Sequence, residues 1–201
     1  MQFFTVLVVL AATIPFGVAI TDEMVADAEF PLLADFETPL EKDRWEGGAG
    51  RDIVSDIASS GRCSLEVSLG TSTYSGISLV YFPADWQTYE VLSFDVYNPL
   101  AEPLRLTCRI HDQQHSEGVQ SYDDRFNQSF TIQKGWNSIQ VALEKVKNAP
   151  ETRKMDMGDI RGLGIFATRL PRPRTIFLDN VRLRPTSWDR LRKNESNTAR
   201  H

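Results

Sequence analysis

The stretch LRLTCRIHDQQHSEGVQSYDDRFN, Leu104 to Asn127, decides how the chain is read. Its first half alternates: Leu104, Leu106, Cys108 and Ile110 fall on one side of an extended backbone, and Arg105, Thr107, Arg109 and His111 on the other. A period of two marks a strand with one face on a core and one in water. The wet side carries long hydrogen-bonding side chains and runs into a polar segment holding Asp112, His115, Tyr122, Asp123, Asp124, Arg125 and Asn127. Two of the three histidines, His111 and His115, lie here.

The same period recurs on either side. Leu32–Glu37, Ile53–Ile57, Cys63–Leu69, Ile77–Phe82 and Leu92–Val96 precede the central stretch, and Phe130–Ile132, Ile139–Leu143, Leu163–Ala167 and Thr175–Leu183 follow it. Turn signals such as Ser60-Gly61, Pro83, Asn98-Pro99 and Lys134-Gly135 separate them. Trp45–Arg51, WEGGAGR, reads as a glycine-rich loop, and Glu144–Pro150 as a connection with room for one helical turn. No stretch sustains a 3.6-residue apolar period beyond about two turns. Short strands with turns between them predict an all-β fold, an antiparallel two-sheet β-sandwich (jelly roll) over residues 30–184.

A chain of 201 residues with 24% charged and 41% hydrophobic residues has the composition of one soluble domain with a sizeable core. Net charge is −5. From Arg184 onward five basic residues face two acids, so this end carries +3 and residues 1–183 carry −8. An acidic body argues against nucleic-acid binding, which needs a basic face. Residues 185–201 lack apolar periodicity and read as a disordered polar tail.

Phe3–Ile20 is almost wholly apolar, and Gly17-Val18-Ala19 offers the small residues of a cleavage site. Residues 1–19 therefore read as a signal peptide, which predicts a secreted or periplasmic protein. The alternative is an uncleaved membrane anchor, for which the run is short. In that compartment a disulfide between Cys63 and Cys108 is chemically permitted, and two core-facing free thiols are the other reading.

Several segments, taken in order, resemble a known superfamily: Asp35-Phe36-Glu37, Gly61-Arg62-Cys63-Ser64-Leu65, Asp85-Trp86, Leu92–Val96, Gly135-Trp136-Asn137 and Phe177–Leu183. Together they are similar to the galactose-binding-domain-like jelly rolls that include many bacterial carbohydrate-binding modules. The resemblance implies a sandwich whose first and last strands are neighbours, with a structural calcium at their edge. Asp35, Glu37 and Asp179 are the matching acids; pairing with Arg62 or Arg182 is the competing role for them. Trp86 and Trp136 match the superfamily's core-packing positions. The bacterial likeness also gives the glycosylation sequons Asn127-Gln128-Ser129 and Asn194-Glu195-Ser196 no modification role.

Sugar recognition needs aromatic faces for the apolar side of a pyranose and planar polar groups for its hydroxyls. The candidates are Tyr74, Arg109, His111, Asp112, Tyr122, Arg125 and Asn127, with Trp45 a further one in its loop. His111, Asp112 and His115 could instead hold zinc, but they lack the i, i+4 helical spacing and a cysteine partner. Catalysis would need paired carboxylates such as Asp95 with Asp112, Asp123 or Asp124, and no E-x-D-x-E run supports it. The chain therefore reads as a secreted, non-catalytic protein whose partner is a carbohydrate, a polysaccharide or glycoconjugate. A cell-envelope scaffold binding a protein is the alternative, and a lone glycoside hydrolase the third.

Overall fold

The computed structural model describes residues 30–185. The expected signal peptide and the polar tail beyond Pro185 lie outside the described residues. Eleven strands form two antiparallel sheets. The first has the order β3 (Gly50–Val54), β4 (Ser64–Leu69), β11 (Arg174–Arg184), β6 (Val91–Asn98) and β9 (Gly135–Ala142), and β1 (Leu32–Ala34) also pairs with β11. The second has the order β2 (Trp45–Glu46), β5 (Ser75–Leu79), β10 (Ile160–Ala167), β7 (Leu104–Asp112) and β8 (Phe126–Ile132). This is the expected jelly-roll sandwich, with the first and last strands paired.

The core lies between the sheets and follows the predicted alternation. Leu65 and Val67 of β4, Leu92, Phe94 and Val96 of β6, and Leu104, Leu106, Cys108 and Ile110 of β7 are all buried. β11 changes phase midway: Ile176 and Leu178 point inward before Asp179, Val181 and Leu183 after it. A register shift between Asp179 and Arg182, with Asn180 at φ 56°, absorbs the extra residue. Asparagine tolerates that left-handed backbone better than most residues.

The elements depart from the sequence reading in three places. The Trp45–Arg51 loop contains β2 and the start of β3, and Trp45 is fully buried against Phe36, so it cannot meet a ligand. β8 begins at Phe126, which puts Asn127 inside a strand opposite Arg109. The segment after β7 is a short helix, α1 (Gln113–Glu117), capped by Asp112, whose carboxylate accepts the His115 backbone N–H at 3.0 Å. A second short helix, α2 (Leu143–Lys147), fills the expected helical turn.

Both cysteines are free thiols. Cys63 precedes β4 in the first sheet and Cys108 lies on β7 in the second, and burial pushes the Cys108 thiol up to about 12. Trp86 is fully buried as expected, with its indole N–H donating to the Pro83 carbonyl at 3.0 Å. Trp136 is half-buried and packs on Tyr97, which in turn meets Phe177 edge-on. Register places these three together on the outer face of the first sheet, because Tyr97 pairs with both Trp136 and Phe177.

Candidate functional site

The outer face of the second sheet carries the side chains that the alternation turns away from the core. On β7 these are Arg105, Thr107, Arg109 and His111; on β8, Asn127, Ser129 and Thr131 stand opposite them. On β10 the outward positions are Gly162, Gly164 and Phe166, paired with His111, Arg109 and Thr107. The His111 ring lies directly over Gly162: a Cβ there would sit 2.1 Å from its Cε1. The Arg109 guanidinium passes beside Gly164, with Nε 3.5 Å from where a Cβ would be. Missing side chains on β10 thus form a floor on which two planar groups of β7 rest.

Tyr122 and Arg125 close one corner. The Arg125 guanidinium sits over the Tyr122 ring at 5.4 Å from its centre, and Tyr122 is 70% exposed. Tyr74, 68% exposed, stands at the other corner, edge-on to Phe166 at 5.7 Å. Thr107 and His111, which mark the two ends, lie roughly 14 Å apart along the strand.

Four buried side-chain atoms on this face have no hydrogen-bond partner among the described residues: Arg109 Nε, His111 Nδ1, Arg125 Nε and Asn127 Oδ1. Such a group costs about 1–3 kcal/mol when left unmet, and these four gather on one face. Burial, then the positive charge of Arg109, lowers the His111 pKa to about 4, so the ring is neutral near pH 7 and can both donate and accept. Burial and the neighbouring Arg125 also lower the pKa of Arg109.

Asp112, expected to join this set, does not. It is fully buried, and its two oxygens accept from Arg153 Nη1 at 2.5 Å and Nη2 at 2.9 Å, and from the Asp156 N–H at 2.8 Å. Arg153 also grips Asp124, through Nε at 2.6 Å and Nη2 at 2.9 Å, while His115 Nδ1 lies 3.3 Å from the same carboxylate. Arg153 therefore ties the end of β7 to the segment that presents Tyr122 and Arg125. Residues that the sequence reading missed are Arg153, Gly162, Gly164 and Phe166. The G-x-G of Arg161-Gly162-Leu163-Gly164 inside an otherwise apolar strand was the available sign of a close approach.

The metal readings meet donors instead of open oxygens. Among the described residues no group of three His, Cys, Asp or Glu side chains could hold a metal ion. Glu37 accepts the backbone N–H groups of Arg62 at 2.6 Å and Cys63 at 2.8 Å, with the Arg62 guanidinium 3.8 Å away. Asp179 accepts from Ser59 N at 2.7 Å, Ser60 N at 3.0 Å and its neighbour Asn180 N at 2.6 Å. Asp35 accepts the Glu37 N–H at 3.2 Å. N–H groups present positive ends where a calcium ion would have to sit, so these residues do not fit calcium. Of the two expected roles, Glu37 takes the Arg62 contact. For zinc, His111 and His115 approach to 5.0 Å between ring centres, but Asp112 is committed to Arg153. The carboxylate pairs required for catalysis are also separated. Asp95 lies on β6 beside Asp179, while Asp112 and Asp124 belong to the other sheet's edge under Arg153.

No protein-family model matches the sequence, and no curated protein matches it. Solved structures do match the fold. The family 11 carbohydrate-binding module from Clostridium thermocellum, in complex with a β-1,3-1,4-mixed-linked tetrasaccharide, superposes with a TM-score of 0.59 at 19% identity, covering 77% of this chain and 94% of that one. An exo-β-agarase matches over 77% of this chain and 25% of its own length, with a TM-score of 0.58 and 16% identity. The family 30 module of a cellulosomal cellulase of Clostridium thermocellum gives 0.50 at 14% identity over 71% of this chain and 92% of that one. At these identities the likeness is one of fold, and the chain is a two-sheet antiparallel jelly roll similar to those of carbohydrate-binding modules.

Proposed function

We propose that this protein is a secreted, non-catalytic carbohydrate-binding protein and that the outer face of the second sheet holds the glycan. The observation that carries the reading is the set of unmet polar atoms on Arg109, His111, Arg125 and Asn127, flanked by the exposed rings of Tyr74 and Tyr122. A polyol chain supplies what that surface lacks: paired hydroxyls for the guanidiniums and the imidazole, and C–H faces for the tyrosines. The unmet atoms are covered by their neighbours, so contact requires small rotations of the long side chains. Relief of their unpaired state then adds to the gain on binding. The structural neighbour bound to a mixed-linked tetrasaccharide supports the ligand class. A protein-binding scaffold would present an apolar patch at this place, and this face is mainly polar, with Tyr122 at one corner and the Tyr74–Phe166 pair at the other.

The test is a panel of soluble polysaccharides, beginning with mixed-linked β-glucan, titrated against the protein and against Tyr74→Ala and Tyr122→Ala. Each ring is expected to contribute about threefold to tenfold in affinity, from a stacking contribution of about 0.5–1.5 kcal/mol. Because both rings are exposed, melting should be unchanged. Binding that survives the loss of both tyrosines would place the glycan elsewhere.

A further inference from the structure

We infer that the glycan held on this face carries anionic substituents, carboxylate or sulfate, and that Arg109 and Arg125 grip them; this rests on the carbohydrate reading of the same site. Two guanidiniums stand side by side here with no carboxylate partner among the described residues. Several other cations do meet acids: Lys42 meets Asp52 at 3.1 Å, Arg161 meets Asp159 at 2.6 Å and Arg172 meets Glu102 at 2.5 Å. Arg109 and Arg125 stand in a chain whose first 183 residues carry −8.

The nearby acids are spoken for. Asp112 and Asp124 are both held by Arg153, and Asp123 accepts from the Ser121 hydroxyl. Across the sheet, Glu46 lies on the far edge strand, beyond β5 and β10. His111 adds no negative charge and, being neutral, no further positive charge. Arg105, exposed and outward on the same strand, extends the cationic row. A neutral sugar would cover two guanidiniums and take water from them without returning a charge. An oxyanion returns charge and accepts in the paired geometry that the Nε–H and Nη–H edge of arginine offers. Carboxylate and sulfate share that chemistry.

The experiment compares matched pairs on the full chain: polygalacturonate against its fully methyl-esterified form, and a sulfated galactan against its desulfated form. Polyglutamate serves as a sugar-free polyanion. At least one anionic glycan should bind about tenfold tighter than its neutral counterpart, which is the gap between charge-assisted and neutral hydrogen bonding. Which pair responds tells carboxylate from sulfate. Arg125→Gln and Arg109→Gln should each abolish the preference, with melting curves recorded for both and Arg125→Lys retaining part of it. A neutral polymer bound as tightly as its charged form in both pairs overturns this inference and leaves the carbohydrate reading standing. No binding to any polysaccharide overturns both. Polyglutamate bound as tightly as the best glycan also overturns both, since charge alone would then suffice.

Discussion

Arg153→Ala tests the clamp that holds the site together. In the native protein one guanidinium, 15% exposed, spans the fully buried Asp112 and the partly buried Asp124. Truncation removes both charge-assisted contacts to Asp112 and leaves that carboxylate with only the backbone donors of His115 and Asp156. Breaking a buried pair from one side costs about 3–5 kcal/mol. The two remaining N–H donors place the loss near the lower end, about 3 kcal/mol, and the more exposed Asp124 contact adds under about 1 kcal/mol. For a domain of this size each kcal/mol lowers Tm by about 2–4 °C, so a fall of roughly 6–16 °C is expected in a thermal melt followed by tryptophan fluorescence. Asp112→Asn combined with Arg153→Met should cost less than the sum of the two single changes, because no bare charge remains. Glycan affinity should fall with Arg153→Ala as well, since the segment bearing Tyr122 and Arg125 loses its anchor. A melt within about 1 kcal/mol of wild type would refute the clamp.

Other consequences are open to measurement. His111 should titrate near pH 4 in imidazole nitrogen NMR, and a midpoint near the ordinary 6.5 would remove the burial argument. The sign follows from linkage: the unfolded chain binds that proton first, so stability declines as pH falls from 6.5 through 4. Asp112 and Asp124, both held below their ordinary 3.8, extend the loss to lower pH: their contribution is present above 3.8 and disappears as pH drops through the lowered values. Melting should be the same in chelator and in millimolar calcium, whereas a real site at 100-fold excess over Kd would add about 2.7 kcal/mol. A thiol reagent at pH 8 should label Cys108 only on unfolding, because the buried thiol stays protonated. Gly162→Ala should lower both stability and glycan affinity, because its Cβ would occupy the place of the His111 ring; unchanged binding would take His111 out of the site.

The sandwich was legible because its information is local. Alternation in β4, β6, β7 and β9 follows from each strand's own residues, whereas the phase change in β11 emerges only from its pairing with β6. The site was legible only in part. Arg109, His111 and Asn127 come together because β7 pairs with β8, and the polar run around them was visible as a run. Asp112 could not be told from its neighbours: its assignment depends on Arg153, 41 residues away, which reaches it only in the folded chain. Trp45 failed for the opposite reason. Its glycine-rich surroundings looked like an exposed loop, yet pairing of β2 with β5 turns the ring into the core.

The clamp and the proposed binding face are one arrangement of charge. Asp124 is adjacent in sequence to Arg125, and Asp112 is adjacent to His111. Had these carboxylates turned toward the sheet face, they would have neutralised Arg125 and Arg109 and raised the His111 pKa. Strand alternation turns Asp112 inward, and Arg153 holds both carboxylates away from that face through four N–H contacts at or below 2.9 Å. What remains on the outer face is an imidazole without charge and two guanidiniums with no carboxylate partner among the described residues. Losing Arg153 should therefore do more than loosen a segment. It frees Asp124 to pair with Arg125, so the residual glycan binding of Arg153→Ala should lose its preference for charged chains before it loses binding to neutral ones. Retention of that preference at reduced overall affinity would show that Arg153 acts on position alone.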